Sequence, residues 1–230
     1  MSITIENVET YGWEAAIRGM RNPMNSWDKS DSVLCPGVEF SDCKTDAVVC
    51  PRCDDRFDYD IFCIGKNDFS LMKKLAKAGT DHRKFMRMIT VTVDITAPDY
   101  WFKEFSTYRI GVTENSTSTM HRIQAKEFTL DDFSTEHLNG ESMWVLGNTI
   151  KILNQNRENF NRYNDKDFWW QLIQLLPMSY NYRRTVCLNY EVLANMYKSR
   201  KNHKLDEWRE FCKFIETLPY AELITGEYEI

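Results

Sequence analysis

The chain has 230 residues, 43% of them hydrophobic and 13% aromatic, which suits one folded domain over residues 1–230 and excludes a disordered composition. A net charge of −5 argues against a nucleic-acid groove, and no apolar run approaches the ~20 residues of a membrane span. Residues 1–16 lack the basic and apolar blocks of a signal peptide, so a cytoplasmic protein is expected, with its seven Cys as thiols or metal ligands rather than disulfides.

In chain order, Trp13, Ala16, Ile17 and Met20 recur at helical spacing and predict an amphipathic helix over 12–21. NPMNSWDKSDS then breaks the pattern. Residues 34–64 read as an irregular, Cys-rich insertion, with Cys35, Cys43, Cys50, Cys53 and Cys63. Cys50-Pro-Arg-Cys53 lets two thiolates reach one zinc, and Cys35 with Cys43 or Cys63 would complete a four-Cys set. A structural zinc, a hairpin with free thiols and a redox pair all stay open for this segment. Asp68 is placed to cap a helix whose inner face is Phe69, Met72, Leu75 and Ala76, stopped by Gly79.

A strand follows, in which Phe85, Ile89, Val91, Val93 and Ile95 alternate with Met86, Met88, Thr90, Thr92 and Asp94 until Pro98. Residues 106–122, STYRIGVTENSTSTMHR, are dense in hydroxyls: either a ligand-contacting loop or a polar turn. Thr129 reads as a cap for LDDFSTEHL, with Asp131 and Asp132 near the positive helix start. Two long helices are expected to finish the chain. One spans 141–176, broken near 161–165; the other spans 185–217, with Asn189, Leu193, Met196, Arg200 and His203 along one side.

Four segments, in order, resemble the flavin-dependent thymidylate synthases: DFSLMKKLAKAGTDHRKFMRMITVTVDITAP, EFSTYRIGVTENSTSTM, LLPMSYNYRRTVCLNY and EVLANMYKSRKNHKLDEWREF. The second sits where the family carries Q-x-x-R-H-R-x-x-S-x-N-E-x-S-x-R-Y. Glu104 takes the Gln place, and Thr107, Tyr108 and Arg109 take Arg-His-Arg. Val112 and Thr117 fall on the two Ser, Glu114 and Asn115 on Asn-Glu in swapped order, and Thr119 and Met120 on Arg-Tyr. In the last segment Asn189, Asn195 and Arg200 match in type and spacing. Glu191 falls where the family has Arg, and His203 lies one residue short of the family's His place, which Lys204 holds.

The resemblance implies an α/β (α+β) fold, an antiparallel sheet flanked by helices, assembled as a homotetramer with active sites between subunits. It implies reductive methylation of dUMP, or a related pyrimidine deoxynucleotide, with FAD, NADPH and methylenetetrahydrofolate. Thr107, Tyr108, Arg109, Asn189, Asn195 and His203 would contact the cofactor, with His82 and Arg87 near it. Glu104, Asn115, Ser116, Thr117, Ser118 and Thr119 would contact the nucleotide. Arg200 would sit on the pyrimidine ring, where a fixed cation stabilises developing charge. Arg122 is a candidate to compensate for the arginine missing at 119. The substitutions leave two other readings: a catalytically silent binder of nucleotide or flavin, and a zinc-braced interaction module.

Overall fold

The computed structural model of the protein describes residues 3–34 and 62–226. Cys35, Cys43, Cys50 and Cys53, the proposed zinc ligands, lie outside the described residues, so the metal expectation falls there too.

β1 (Thr4–Tyr11) leads through Gly12 into α1 (Trp13–Arg21). A short antiparallel ribbon of β2 (Val33–Leu34) and β3 (Phe62–Cys63) precedes α2 (Lys66–Lys77). Next come β4 (Thr90–Pro98), α3 (Asp99–Phe105), β5 (Thr113–Ser116) and the single turn α4 (Thr119–Arg122). Then follow α5 (Gly140–Tyr163), α6 (Lys166–Leu175), β6 (Asn181–Asn189), α7 (Tyr190–Arg200), α8 (Asp206–Glu216) and α9 (Glu222–Thr225).

The main sheet has the order β1-β4-β6-β5, with every pair antiparallel. It is the antiparallel sheet flanked by helices that the sequence implies. Along β4 and the residue before it, Ile89, Val91, Val93, Ile95 and Ala97 are all fully buried, while Thr90, Thr92, Asp94 and Thr96 face the wetter side, as the two-residue period requires. On that wetter side Asp94 accepts from Asn7 of β1 and from Arg183 and Thr185 of β6, tying three strands together. The Arg183 hydrogen bond, followed by those from Thr185 and Asn7, holds the Asp94 carboxyl well below the usual range.

Several boundaries differ from those the periodicity suggests. The strand starts at Thr90, because residues 83–87 form a 3₁₀ turn that buries the adjacent Phe85 and Met86 together. Asp68 does not cap α2. Gly65 holds the cap position, and the Asp31 carboxylate accepts the free N–H groups of Asn67 and Asp68 at 2.8 and 3.0 Å. Thr129 and Asp132 do form a capping box, but over a single 3₁₀ turn (Leu130–Asp132), after which Phe133 turns extended and bridges to Tyr180. The break in the first long helix is real: Asn164 takes φ 52°, ending α5, and Asp165 caps α6.

The expected single helix over 185–217 is instead β6, α7 and α8. Residues 182–188 alternate: Val186 and Leu188 are buried, whereas Arg183, Thr185 and Cys187 are exposed. Asn189 is therefore a cap, its Oδ1 accepting from Val192 N at 3.1 Å. Leu193 and Met196 belong to the core, so the mixed polar face expected there is not a face of one helix.

The β1–α1 junction permits one local prediction. Gly12 has φ +91°, and a Cβ there would lie 1.9 Å from the Met88 carbonyl oxygen. Left-handed backbone alone costs a non-glycine residue ~1–2 kcal/mol, and the clash is with backbone, which cannot rotate away. Gly12→Ala should lower the melting temperature by at least about 4 °C. An unchanged melting curve would contradict this junction.

Candidate functional site

The site begins with aromatic packing. Trp101, Phe102 and Phe105 of α3 meet Trp208 and Phe211 of α8, with Trp101 and Trp208 ring centres 5.0 Å apart and Phe105 stacked on Trp208 at 6.2 Å. Burial of such rings is a large apolar contribution with defined geometry. It fixes Trp208 beneath the end of α7, where the Arg200 guanidinium lies 4.8 Å from the indole centre.

Arg200 donates through Nε to the Tyr108 hydroxyl at 3.0 Å and through Nη1 to the Glu104 carboxylate at 2.9 Å. The same Glu104 oxygen accepts from Trp208 Nε1 at 3.0 Å and has His203 Nε2 at 3.5 Å. Four of the expected site residues, Glu104, Tyr108, Arg200 and His203, thus share one network, with Trp208 as its floor. The Arg200 side chain is 20% exposed: held in orientation, yet open to a ligand.

Asn195 belongs to a second cluster. Glu191, buried in the first turn of α7, pairs with Arg83 at 3.4 Å and with Arg87, both from the 3₁₀ turn before β4. Burial disfavours ionised Glu191, but the hydrogen bonds and charge of Arg87 and Arg83 outweigh it and hold the carboxyl below its ordinary range. Arg83 also donates to Asn195 Oδ1 at 2.9 Å. Five residues of helix rise put Asn195 about 7.5 Å from Arg200 along the axis, so these clusters mark two ends of one helix. His82 is exposed beside this turn, and His82 enters neither network.

Between the β5 edge and the residue 108–112 turn lies an open pocket of about 420 Å³, lined by Tyr108, Arg109, Val112, Glu114, Ser116 and Arg184. Arg184 rests on the Phe102 ring at 4.0 Å and donates to Glu114 and to Ser106 Oγ. Its Nε is buried without a partner among the described residues. Arg109 is exposed on the rim.

The hydroxyl-rich stretch is not a loop throughout. Thr113–Ser116 form the edge strand β5, setting Asn115 opposite Thr185 and Ser116 opposite Arg184. The Thr117 N–H is spent on the Arg183 carbonyl, and the Ser118 hydroxyl accepts from His121 N to cap α4. Thr119 is half-buried at the start of α4, next to Tyr182. Thr107 is exposed, its hydroxyl turned back to the Glu104 carbonyl at 2.7 Å. Arg122 is exposed and lies outside the pocket lining.

No family model and no curated protein sequence matches the chain. Solved structures do match it along its length. Flavin-dependent thymidylate synthase ThyX from Helicobacter pylori, complexed with FAD and dUMP, aligns over 99% of this chain and 98% of its own at 16% identity, with a TM-score of 0.63. A second structure of that enzyme with FAD and dUMP gives 0.66 at 16% identity over the same shares. The chain has the flavin-dependent thymidylate synthase fold. The UMP/dUMP methylase PolB from Streptomyces cacaoi, bound with 5-Br dUMP, also aligns, over 98% and 93% of the chains at 14% identity and a TM-score of 0.56.

Against that ThyX fold, the residues that sequence reasoning missed are Arg184, Trp208 and Arg83. Arg184 falls in phase with Val186 and Leu188 on the inner side of β6, but its own charge and that of Arg183 hide this phase in the sequence. Trp208 falls at helical spacing with Cys212 and Ile215, a pattern that reads as core, and only its indole N–H distinguishes it. Arg83 carried no periodic signal at all. Among the described residues, no group of His, Cys, Asp and Glu is arranged to hold a metal ion, and no helix is long and apolar enough to cross a membrane.

Proposed function

We propose that the protein is a divergent flavin-dependent methylase of a pyrimidine deoxynucleotide, converting dUMP to dTMP, or a close analogue likewise, with methylenetetrahydrofolate and NADPH. The observation that carries this reading is Arg200, aimed and fixed by Glu104, Tyr108 and Trp208 at the end of α7 in a ThyX fold. A cation held in place before reaction stabilises charge that develops on a pyrimidine ring without reorganisation.

The residues suit FAD on chemical grounds. A flavin needs hydrogen-bond donors along its ring edge and a cation near its phosphates, and α7 with the adjoining turn supplies the Asn195 amide, held by Arg83, and the more exposed Arg87. FAD, when bound, would supply the redox chemistry. The chain's own residues bind and orient. Asn189, Asn195, His203, Thr107, Tyr108 and Arg109 are proposed for the cofactor side. Glu104, Asn115, Ser116, Thr117, Ser118 and Thr119 are proposed for the nucleotide side, with Arg109 and Arg184 the cations of the adjacent pocket. A homotetramer is proposed as the working assembly. Val145 and Ile152 of α5 share a side seven residues apart, with Trp144 beside them, and all three are exposed.

A specific observation favours a second reading, a silent binder: the Glu104 carboxylate already occupies part of the Arg200 guanidinium, while Thr107 and Thr119 stand where the family signature has Arg. The two separate in one assay. Incubation with dUMP, methylenetetrahydrofolate, NADPH and FAD should yield a methylated nucleotide detected by mass. Tight binding of FAD and dUMP with no such product under any order of addition would establish the silent reading.

A further inference from the structure

The amide of Asn195 has a fixed polarity. Its contact with Arg83 runs from Nη2 to Oδ1 at 2.9 Å, and a guanidinium has no acceptor, so only the amide oxygen can face it. The Nδ2 group, with two N–H donors, is left for whatever approaches this exposed position. Asn189 is committed in the same sense. Its Oδ1 accepts the Val192 N–H at 3.1 Å, and its Nδ2 lies against Gly111, where an added Cβ would come within 2.8 Å. The surrounding charge is consistent with this polarity: Arg83 and Arg87 bring two positive charges against the one negative charge of Glu191.

We infer that Arg83 is a positioning residue, which fixes Asn195 as a donor-only group and so selects a hydrogen-bond acceptor on the ligand. The inference rests on the flavin reading, and there the acceptor is a ring carbonyl oxygen or ring nitrogen lone pair of FAD. Arg83 itself need not touch the ligand. Because Arg83 is 20% exposed and tied to buried Glu191, it has little freedom to release Asn195. Without that tie the amide is free to turn its oxygen toward the same acceptor, which it would repel.

The test is FAD binding by fluorescence quenching, with dUMP binding measured separately. Asn195→Asp keeps the shape and strengthens the tie to Arg83, but replaces both donors by an acceptor. It should weaken FAD binding about 10- to 100-fold with an unchanged melting temperature and unchanged dUMP affinity. Arg83→Met should weaken FAD about 3- to 10-fold, and its effect should vanish when Asn195 is already alanine, since coupled residues are not additive. Arg83→Lys, which keeps a donor at the amide oxygen, should restore most of the affinity. Parent-like FAD binding by Asn195→Asp would overturn the inference and leave the flavin reading intact. So would an Arg83→Met effect that persists in the Asn195→Ala background, or a loss confined to dUMP. A parent protein that binds no FAD would overturn both.

Discussion

Arg200→Ala should lower kcat/KM for dUMP methylation about 10²- to 10³-fold, the scale of losing one preorganised charge-stabilising donor. FAD should still bind, because Asn195, Arg83 and Arg87 form a separate network with Glu191. Arg200→Lys should recover little. The guanidinium makes two directed contacts, to Tyr108 and Glu104, while its flat face lies near Trp208, and an ammonium has neither the fork nor the plane. Glu104→Gln is the informative companion. It keeps an oxygen for Arg200 and Trp208 Nε1 but removes the negative charge, leaving more of the cation available to an anionic ring. Its nucleotide affinity should rise if Arg200 faces the ligand. An Arg200→Ala protein with parent-like turnover would remove the residue from the chemistry.

The second large effect is on stability. Asp68 is fully buried, and its Oδ1 accepts from Arg21 Nε at 2.6 Å. Its Oδ2 accepts from the Ser30 and Ser32 hydroxyls at 2.7 and 2.6 Å and from the Asp31 and Ser32 N–H groups. Arg21, itself only 4% exposed, continues to the Ser26 and Lys29 carbonyls. One carboxylate thus ties α1, residues 26–32 and α2 together. Asp68→Asn leaves a buried guanidinium without its counter-ion and should cost about 3–5 kcal/mol in urea unfolding. Replacing both partners by apolar residues, as in Arg21→Met with Asp68→Leu, should cost less than the single change.

The pH dependence has a definite sign. Burial alone would raise the Asp68 carboxyl, but the hydrogen bonds from Ser32, Ser30 and Arg21, with the Arg21 charge, hold it below its ordinary 3.8. A lowered folded value means the contribution is complete above 3.8 and fades as pH falls through the lower value. The parent should therefore lose stability more steeply below about pH 4 than Asp68→Asn does. Parallel curves would contradict the pairing.

The sheet and its flanking helices were legible wherever burial imposed a clean period. α1 and the β4 alternation from Ile89 are cases where side-chain spacing alone decides the face. β6 was not legible, because Arg183, Arg184 and Thr185 dilute its alternation, and Asn189 reads as a helix residue when it is the cap. For the site, the resemblance singled out Arg200, Glu104 and Tyr108, and these three side chains meet in one network. What spacing could not give was the partner of each charge. Arg83 and Glu191 are 108 positions apart, and their meeting depends on how the turn before β4 packs on α7. Nor could it reveal that part of the hydroxyl-rich stretch is an edge strand whose hydrogen bonds go to β6.

The most direct measurement is the visible absorbance of the purified protein after incubation with FAD, with and without dUMP, and passage through a desalting column. The flavin-methylase account predicts a retained flavin spectrum that dUMP perturbs, because Arg200 and Asn195 stand on one helix and a nucleotide at one end alters the surroundings of a flavin at the other. A protein that emerges colourless under both conditions would contradict it.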